Sequence, residues 1–306
     1  NPSLKKSGYY PLQRMLAARR MGGLLIGDGK AREAAHLYMS LADEHDEYEP
    51  WYLFAAAAAF EADGSAPAAL LLHERLVATL PDMQVGDVSL HKASLEKLLG
   101  SDAPPEKKVL WYREYLARFP ESEQAGVYHF LLAKCLEDLG RWDEAIDEYR
   151  RFLPYFAADV PGWPDAHQQA RAIVEFSESA KDWTYERLDD LVAAVRKAIA
   201  SGSASSLRKL MAKAGFFAMS WYKEGTDEAN SRVLFNFSNF MNLRPIKVAA
   251  SLDPSSGDRE AFLRTEGWTG FIPVWYFYFR KVHFPADPRV HGHWEWAGIY
   301  FGEKLQ

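Results

Sequence analysis

The chain has 306 residues, 48% hydrophobic and 25% charged, with a net charge of −6, a composition that fits folded protein with room for two cores and excludes intrinsic disorder. Residues 1–200 carry 23 Lys+Arg against 32 Asp+Glu and residues 201–306 carry 13 against 10, so no basic stripe is present to hold a nucleic acid. Cys135 is the single cysteine, which excludes an internal disulfide and a cysteine-built zinc site.

The longest alanine-rich apolar run, Leu53 to Phe60, falls far short of the ~20 residues that cross a bilayer, so no transmembrane segment is expected. The compartment stays open between cytoplasm and periplasm. A chain that opens at Asn1 is compatible with an export signal or lipid anchor having been removed.

Self-similarity appears first along the chain. The stretches "GDGKAREAAHLYMSLA", "EADGSAPAALLLHERL" and "EDLGRWDEAIDEYRRF" align on Gly29, Gly64 and Gly140, each followed five residues later by Ala34, Ala69 or Ala145. Four residues on comes a ring (Tyr38, His73, Tyr149), and three beyond that a large apolar residue (Leu41, Leu76, Phe152). Seven before the glycine stands a small residue, Gly22, Ala57 or Ala133. This is a helix, a glycine turn and a second helix, with small residues allowing close approach and rings filling the seam. A degenerate third copy, "LEKLLGSDAPPEKKVLWYREYLARFP", has a turn about three residues longer.

The pattern resembles the tetratricopeptide repeat family over roughly residues 15–156, most closely in residues 126–156. The resemblance implies a stack of helical hairpins whose first helices line a groove for a partner's peptide. Carried over by alignment, the groove positions are Leu16, Arg19 and Gly23, then Trp51, Phe54 and Ala58, then Val127, Phe130 and Lys134. The asparagine of the family's carboxylate-holding members is missing there. Trp51, Phe54 and Phe130 instead suit an apolar segment and Arg19 and Lys134 an acidic neighbour, unless the rings contact a neighbouring helix or the second domain.

"AADVPGWPDAHQQ" reads as a break. A helix over Ala166–Ala180 follows, placed to cover the end of the stack, and the helical domain is taken as residues 1–182. Residues 183–306 form the second domain. It begins with a helix over Tyr185–Ala200 capped by Asp182 or Thr184, with acids in its first turn, and a short helix over Ser206–Ala214. β-prone runs then fall at 216–222, 232–238, 245–251, 271–284 and 292–302, with one more helix expected at Asp258–Thr265. The fold class is α+β: an all-α hairpin array, then an α+β domain with an antiparallel sheet. Its element order resembles the nuclear-transport-factor-like fold.

The unbroken aromatic row Trp275–Phe279 in "PVWYFYFRKVHF" is apolar at both strand parities. It reads as core, as the lining of a pocket, or as an exposed platform. A small-ligand or carbohydrate site would draw on Trp221, Trp275, Trp294 and Trp296. His291 and His293, two apart, would share a strand face near His283, yet lack the carboxylate company of a metal centre. No phosphate loop, nucleophile elbow or dinucleotide fingerprint occurs. Cys135 sits where a repeat wants a small hydrophobe, and Glu266 pairing with a histidine is the one acid-base couple to consider. No catalytic residue, metal or cofactor is implied. The chain reads as a non-enzymatic scaffold for a protein or peptide partner, with the aromatic ligand site as the alternative.

Overall fold

In the computed structural model, which describes residues 10–221, 237–241, 245–269 and 271–304, two compact units divide the chain, Asn1–Pro164 and Asp165–Gln306. The first contains helices α1 (Pro11–Gly27), α2 (Ala31–Ala42), α3 (Glu49–Ala62), α4 (Ala66–Thr79), α5 (Leu90–Leu99), α6 (Pro105–Arg118), α7 (Ala125–Asp138) and α8 (Trp142–Phe152). Each packs on the next in sequence, and α3 also touches α1 and α5. Four of them carry proline in their first turn, where its missing N–H has no partner to lose.

Gly29, Gly64 and Gly140 lie in the turns within the hairpins with φ of 74°, 77° and 69°, values that a side chain resists. The α5–α6 turn, residues 100–104, is five residues long against three in the others. A two-stranded hairpin, β1 (Gln84–Val85) and β2 (Val88–Ser89), joins α4 to α5. Sequence patterning had no signal for strands so short.

The seam depends on small residues. Ala34, Ala35, Ala56, Ala57, Ala59 and Ala133 are wholly buried, and a Cβ added at Gly22 would lie 2.0 Å from the Tyr38 hydroxyl and 2.3 Å from its ring. Ion pairs at a recurring separation also tie each hairpin to the next: Arg14 to Asp46, Arg32 to Asp63, Lys97 to Glu61, Lys107 to Glu74 and Arg113 to Glu144. The exposed pairs among them contribute only ~0–1 kcal/mol each. They do, however, mark the register of the stack.

The second unit holds α9 (Ala166–Glu178), α10 (Leu188–Ala200), α11 (Ala204–Lys209), α12 (Ser238–Met241) and strands β3 (Phe217–Ser220), β4 (Lys247–Val248), β5 (Glu260–Glu266), β6 (Val274–Lys281) and β7 (Trp294–Phe301). Helix α9 associates with this unit through Phe176, whose ring meets Trp183 at 5.8 Å and Phe284 at 4.7 Å. The five strands run in the order β3-β7-β6-β5-β4. The architecture is thus α+β, but the sheet is mixed: β3 pairs parallel with β7, and every other pairing is antiparallel. The parallel edge arises because the chain already tracks β7 from Met211, where Ala212 donates to the Trp296 carbonyl at 2.9 Å.

Three local expectations are corrected. The segment read as a helix at Asp258–Thr265 is β5, paired along its whole length with β6. Its Glu, Ala, Leu and Arg favour helix locally, but Ala261, Leu263 and Thr265 alternate into the core and tertiary pairing wins. Helix α10 starts at Leu188 behind Arg187 without a side-chain cap, because Tyr185 is held by reciprocal hydrogen bonds to Trp294 of 2.9 and 2.7 Å. Of the run at 232–238, only residues 237 and 238 are described, and Ser238 opens α12 rather than a strand. No helix among the described residues is long and apolar enough to cross a membrane.

The aromatic row divides by parity. Trp275, Phe277 and Phe279 enter the main core with Leu191, Val195, Ile199, Leu207, Leu263 and Trp268, while Tyr276 and Val274 join Phe262 on the other face. A register shift opposite Tyr278 and Phe279 lets β7 present Trp294, Trp296, Ile299 and Phe301 to the same core. The indoles stack, Trp268 on Trp275 at 4.4 Å and Phe277 on Trp296 at 4.3 Å. Their N–H groups are satisfied by Thr265 Oγ1 and by the carbonyls of Ile272 and Gly298, as burial of indole requires. Glu295, almost fully buried, accepts from Trp183 Nε1 at 3.0 Å and Arg280 Nε at 2.9 Å.

Gly22→Ala should lower unfolding stability by roughly 1–3 kcal/mol through overpacking against Tyr38. In the Tyr38→Leu background the same change should cost much less. Denaturant titration of the four forms measures the coupling, and additive losses would refute a close-approach seam.

Candidate functional site

The groove positions of the first two hairpins all keep some exposure to solvent. The Arg19 side chain is exposed, and its charge acts on the phenol of Tyr38, whose pKa burial raises and Arg19 lowers in part. The Tyr38 ring meets Trp51 edge-on at 5.6 Å, and Trp51 meets Tyr52 at the same distance. Phe54 lies edge-on to His73 at 5.5 Å. Trp51 and Phe54 are half-buried, each keeping part of its ring open. Tyr38, read from sequence only as a seam ring, is buried and holds Trp51 edge-on.

The equivalent positions of the last hairpin are occupied from within. Phe130 is fully buried, with Tyr149 at 5.5 Å, Phe152 at 5.2 Å and Trp163 at 5.7 Å. It is a core residue and has no surface to offer a partner. Lys134 sets its ammonium 4.8 Å from the centroid of Trp163 and pairs with Glu137. Sequence reading took the segment around Trp163 as a simple break. The signal was an aromatic between two prolines, Pro161 and Pro164, which stiffen it.

Beneath Phe54 lies a buried polar pair. His73 Nδ1 is 3.0 Å from Ser94 Oγ, and both residues are almost wholly excluded from solvent. Burial pulls the His73 imidazole down to about 4, outweighing the attraction of Glu61, so it is neutral at pH 7. Elsewhere an open groove of about 420 Å³ among α4, α5 and α6 is lined by Val77, Leu98, Leu110 and Trp111 with Glu74, Glu114 and Arg118.

The four tryptophans offered as a ligand site do not converge. Trp275, Trp294 and Trp296 are core residues at 2%, 7% and 0% exposure, whereas Trp221 lies on the opposite sheet face, stacked on Tyr300 at 4.1 Å. Phe262 and Tyr276 adjoin it, and Lys304 places its ammonium 4.7 Å from the Phe262 centroid and 5.3 Å from that of Trp221.

The histidines also rearrange. His291 falls in a turn at Gly292 (φ 83°) instead of on a strand, and its Nδ1 accepts from the Phe284 amide at 3.2 Å. Among the described residues no three His, Cys, Asp or Glu converge as a metal site. Glu266 pairs with Arg264 at 3.1 Å, and burial raises the Cys135 thiol, which keeps it protonated and unreactive. Compared with family models, with curated proteins and with solved structures, the chain matches none.

The buried neutral His73 sets a pH dependence. Its folded pKa lies below the unfolded value of about 6.5, so the unfolded chain takes up the proton first. Stability is therefore complete above that pH and falls as the pH drops toward 4, by roughly 3 kcal/mol. His73→Phe should flatten this acid limb in urea titrations between pH 7 and 4. An unchanged slope would show that His73 does not carry it.

Proposed function

We propose that the first unit is a tetratricopeptide-like array acting as a non-enzymatic scaffold, which takes a segment of a partner protein along α1 and α3. The observation that supports this reading is that Arg19, Trp51 and Phe54 all stay at least partly open to solvent, with Trp51 held edge-on by Tyr38. In the last hairpin the corresponding row is closed by the chain's own Trp163. That contact gives the recognition chemistry in miniature: an aromatic side chain from an irregular, proline-stiffened segment, received by a ring and a cation.

The segment suited to the open row is extended, carries an aromatic or large aliphatic anchor and bears a carboxylate for Arg19. Half-exposed Trp and Phe are efficient anchors because they bury much area for few rotatable bonds. A carboxylate clamp is not part of the proposal, since no asparagine stands at the aligned positions. A small-ligand role for the second unit would have to use the face around Trp221, because Trp275, Trp294 and Trp296 are committed to the core.

Screening the full chain against a displayed peptide library should enrich acid-flanked aromatic segments. Trp51→Ala with Phe54→Ala should weaken the selected peptides at least about tenfold, and Arg19→Glu should weaken those bearing acids. Enrichment that survives the double variant would overturn the reading.

A further inference from the structure

The fourth hairpin carries an occupant of its own. Residues 153–165, between α8 and α9, contain the turn Val160-Pro161-Gly162-Trp163, closed by the Trp163 amide donating to the Val160 carbonyl at 2.9 Å. Proline in the second place and Gly162 at φ 80° in the third make this a type II turn. Such a turn is already ordered before it meets a surface, because proline fixes one of its dihedrals. It presents Trp163 to α7, 5.7 Å from the Phe130 ring and 4.8 Å from the Lys134 ammonium. Both are groove positions of the array, and the inference below rests on reading the first helices as a groove.

The contact is of an exchangeable kind. Among the described residues, 157–164 form no hydrogen bond with α7 or α8; the amides of Ala158 and Trp163 donate within the loop, to Tyr155 and Val160. Trp163 is only half-buried, so a ring and a cation hold it. Phe130 is also covered by Tyr149 and Phe152 of α8, so departure of Trp163 uncovers one side of that ring and leaves the hairpin seam in place. The pairing is particular to this hairpin. At the aligned positions α1 has Arg19 with Gly23 and α3 has Phe54 with Ala58, and of these pairs only that of α7 joins a ring to a cation.

We infer that Phe130 and Lys134 form a receptor for a tryptophan carried on a proline-flanked turn, and that the Val160–Trp163 turn is an autoinhibitory plug displaced by a partner protein bearing such a turn. The seated turn itself specifies the occupant: an indole for the ring and ammonium, and a proline-glycine turn that holds it outward. Tethering sets the threshold for exchange. A short flexible tether gives an effective concentration on the order of millimolar. Against it, a partner turn with an intrinsic dissociation constant of about 100 µM meets roughly a tenfold penalty. Weak binders are therefore excluded from α7, and a partner that also holds a second contact on the array overcomes the plug.

The test uses the full chain and, as probe, a blocked and fluorophore-labelled peptide of residues 157–165, titrated by anisotropy. Trp163→Ala should bind it saturably with a dissociation constant of about 100 µM, and the parent at least about tenfold more weakly because the tethered copy competes. Gly162→Ala should fall between the two: its Cβ would meet nothing within 4 Å, but the positive φ strains the plug while the site stays intact. In the Trp163→Ala chain, Lys134→Met should weaken binding several-fold, and a peptide with alanine for its tryptophan should not bind. Trp51→Ala with Phe54→Ala should leave the titration unchanged, so this proposal and the α1–α3 row fail separately. If Trp163→Ala lowers the thermal midpoint by more than about 10 °C, the parent against Gly162→Ala decides. Absence of saturable binding to the opened chains, equal affinity in parent and opened chains, or indifference to Lys134→Met overturns the proposal, leaving Trp163 as a fixed cover of the stack. So does sedimentation velocity showing a parent dimer that Trp163→Ala dissolves, since the turn would then serve a second copy.

Discussion

The close approach of Tyr38 to the backbone at Gly22 is the contact on which the first unit depends. No side-chain atom fits between them, and the same economy recurs where wholly buried Ala57 and Ala133 take the place of Gly22. When helices approach this closely, a ring in the seam can touch residues of two hairpins at once, as His73 does in meeting Phe54 and Ser94. Tyr38 reaches Trp51 in the next hairpin for that reason. The surface offered to a partner is therefore set by the packing beneath it, not by independent surface residues.

A different constraint rules the second unit. A strand buries alternate residues on opposite faces, so a row of five aromatics can be accommodated only if both faces find cover. One face is covered by α10, α11 and the indoles of Trp268 and Trp296, the other by the cluster around Trp221 and Tyr300. Placing so many rings on one side of β7 requires the register shift opposite Tyr278 and Phe279. Without it, Trp294 and Trp296 would point away from the core that Ile299 and Phe301 enter. The mixed pairing of β3 adds a parallel edge and closes β7 on its far side.

Legibility in the sequence followed the range of the interactions. The hairpin turns were readable because a glycine at positive φ is a local demand, repeated at Gly29, Gly64 and Gly140. The longer α5–α6 turn was readable from its prolines. β5 was not, because its residues favour helix locally and become a strand only through pairing with β6. Phe130 illustrates the same limit within the site: its alignment position was legible, but Trp163, which lies outside the repeat, adds to the cover that Tyr149 and Phe152 give it. The four tryptophans failed as one pocket because strand parity, displaced by a bulge, separates Trp221 from the other three. A bulge leaves no mark where rings stand at both parities, as Trp294, Trp296, Tyr300 and Phe301 do in β7.

The row of Arg19, Trp51 and Phe54 belongs to two first helices that touch, α1 and α3, so a segment bound as proposed would cross from one to the next. Several of the array's acids are already engaged. Glu144 is held at about 2 by hydrogen bonds from Arg141 and Arg113, Glu148 is taken by His129 and Arg151, and Glu61, Asp63 and Glu74 are engaged between hairpins. With these carboxylates held internally, fewer of the array's own acids are left to compete for Arg19. This follows from the arrangement of charge along the stack, since the net charge alone would suggest the opposite preference.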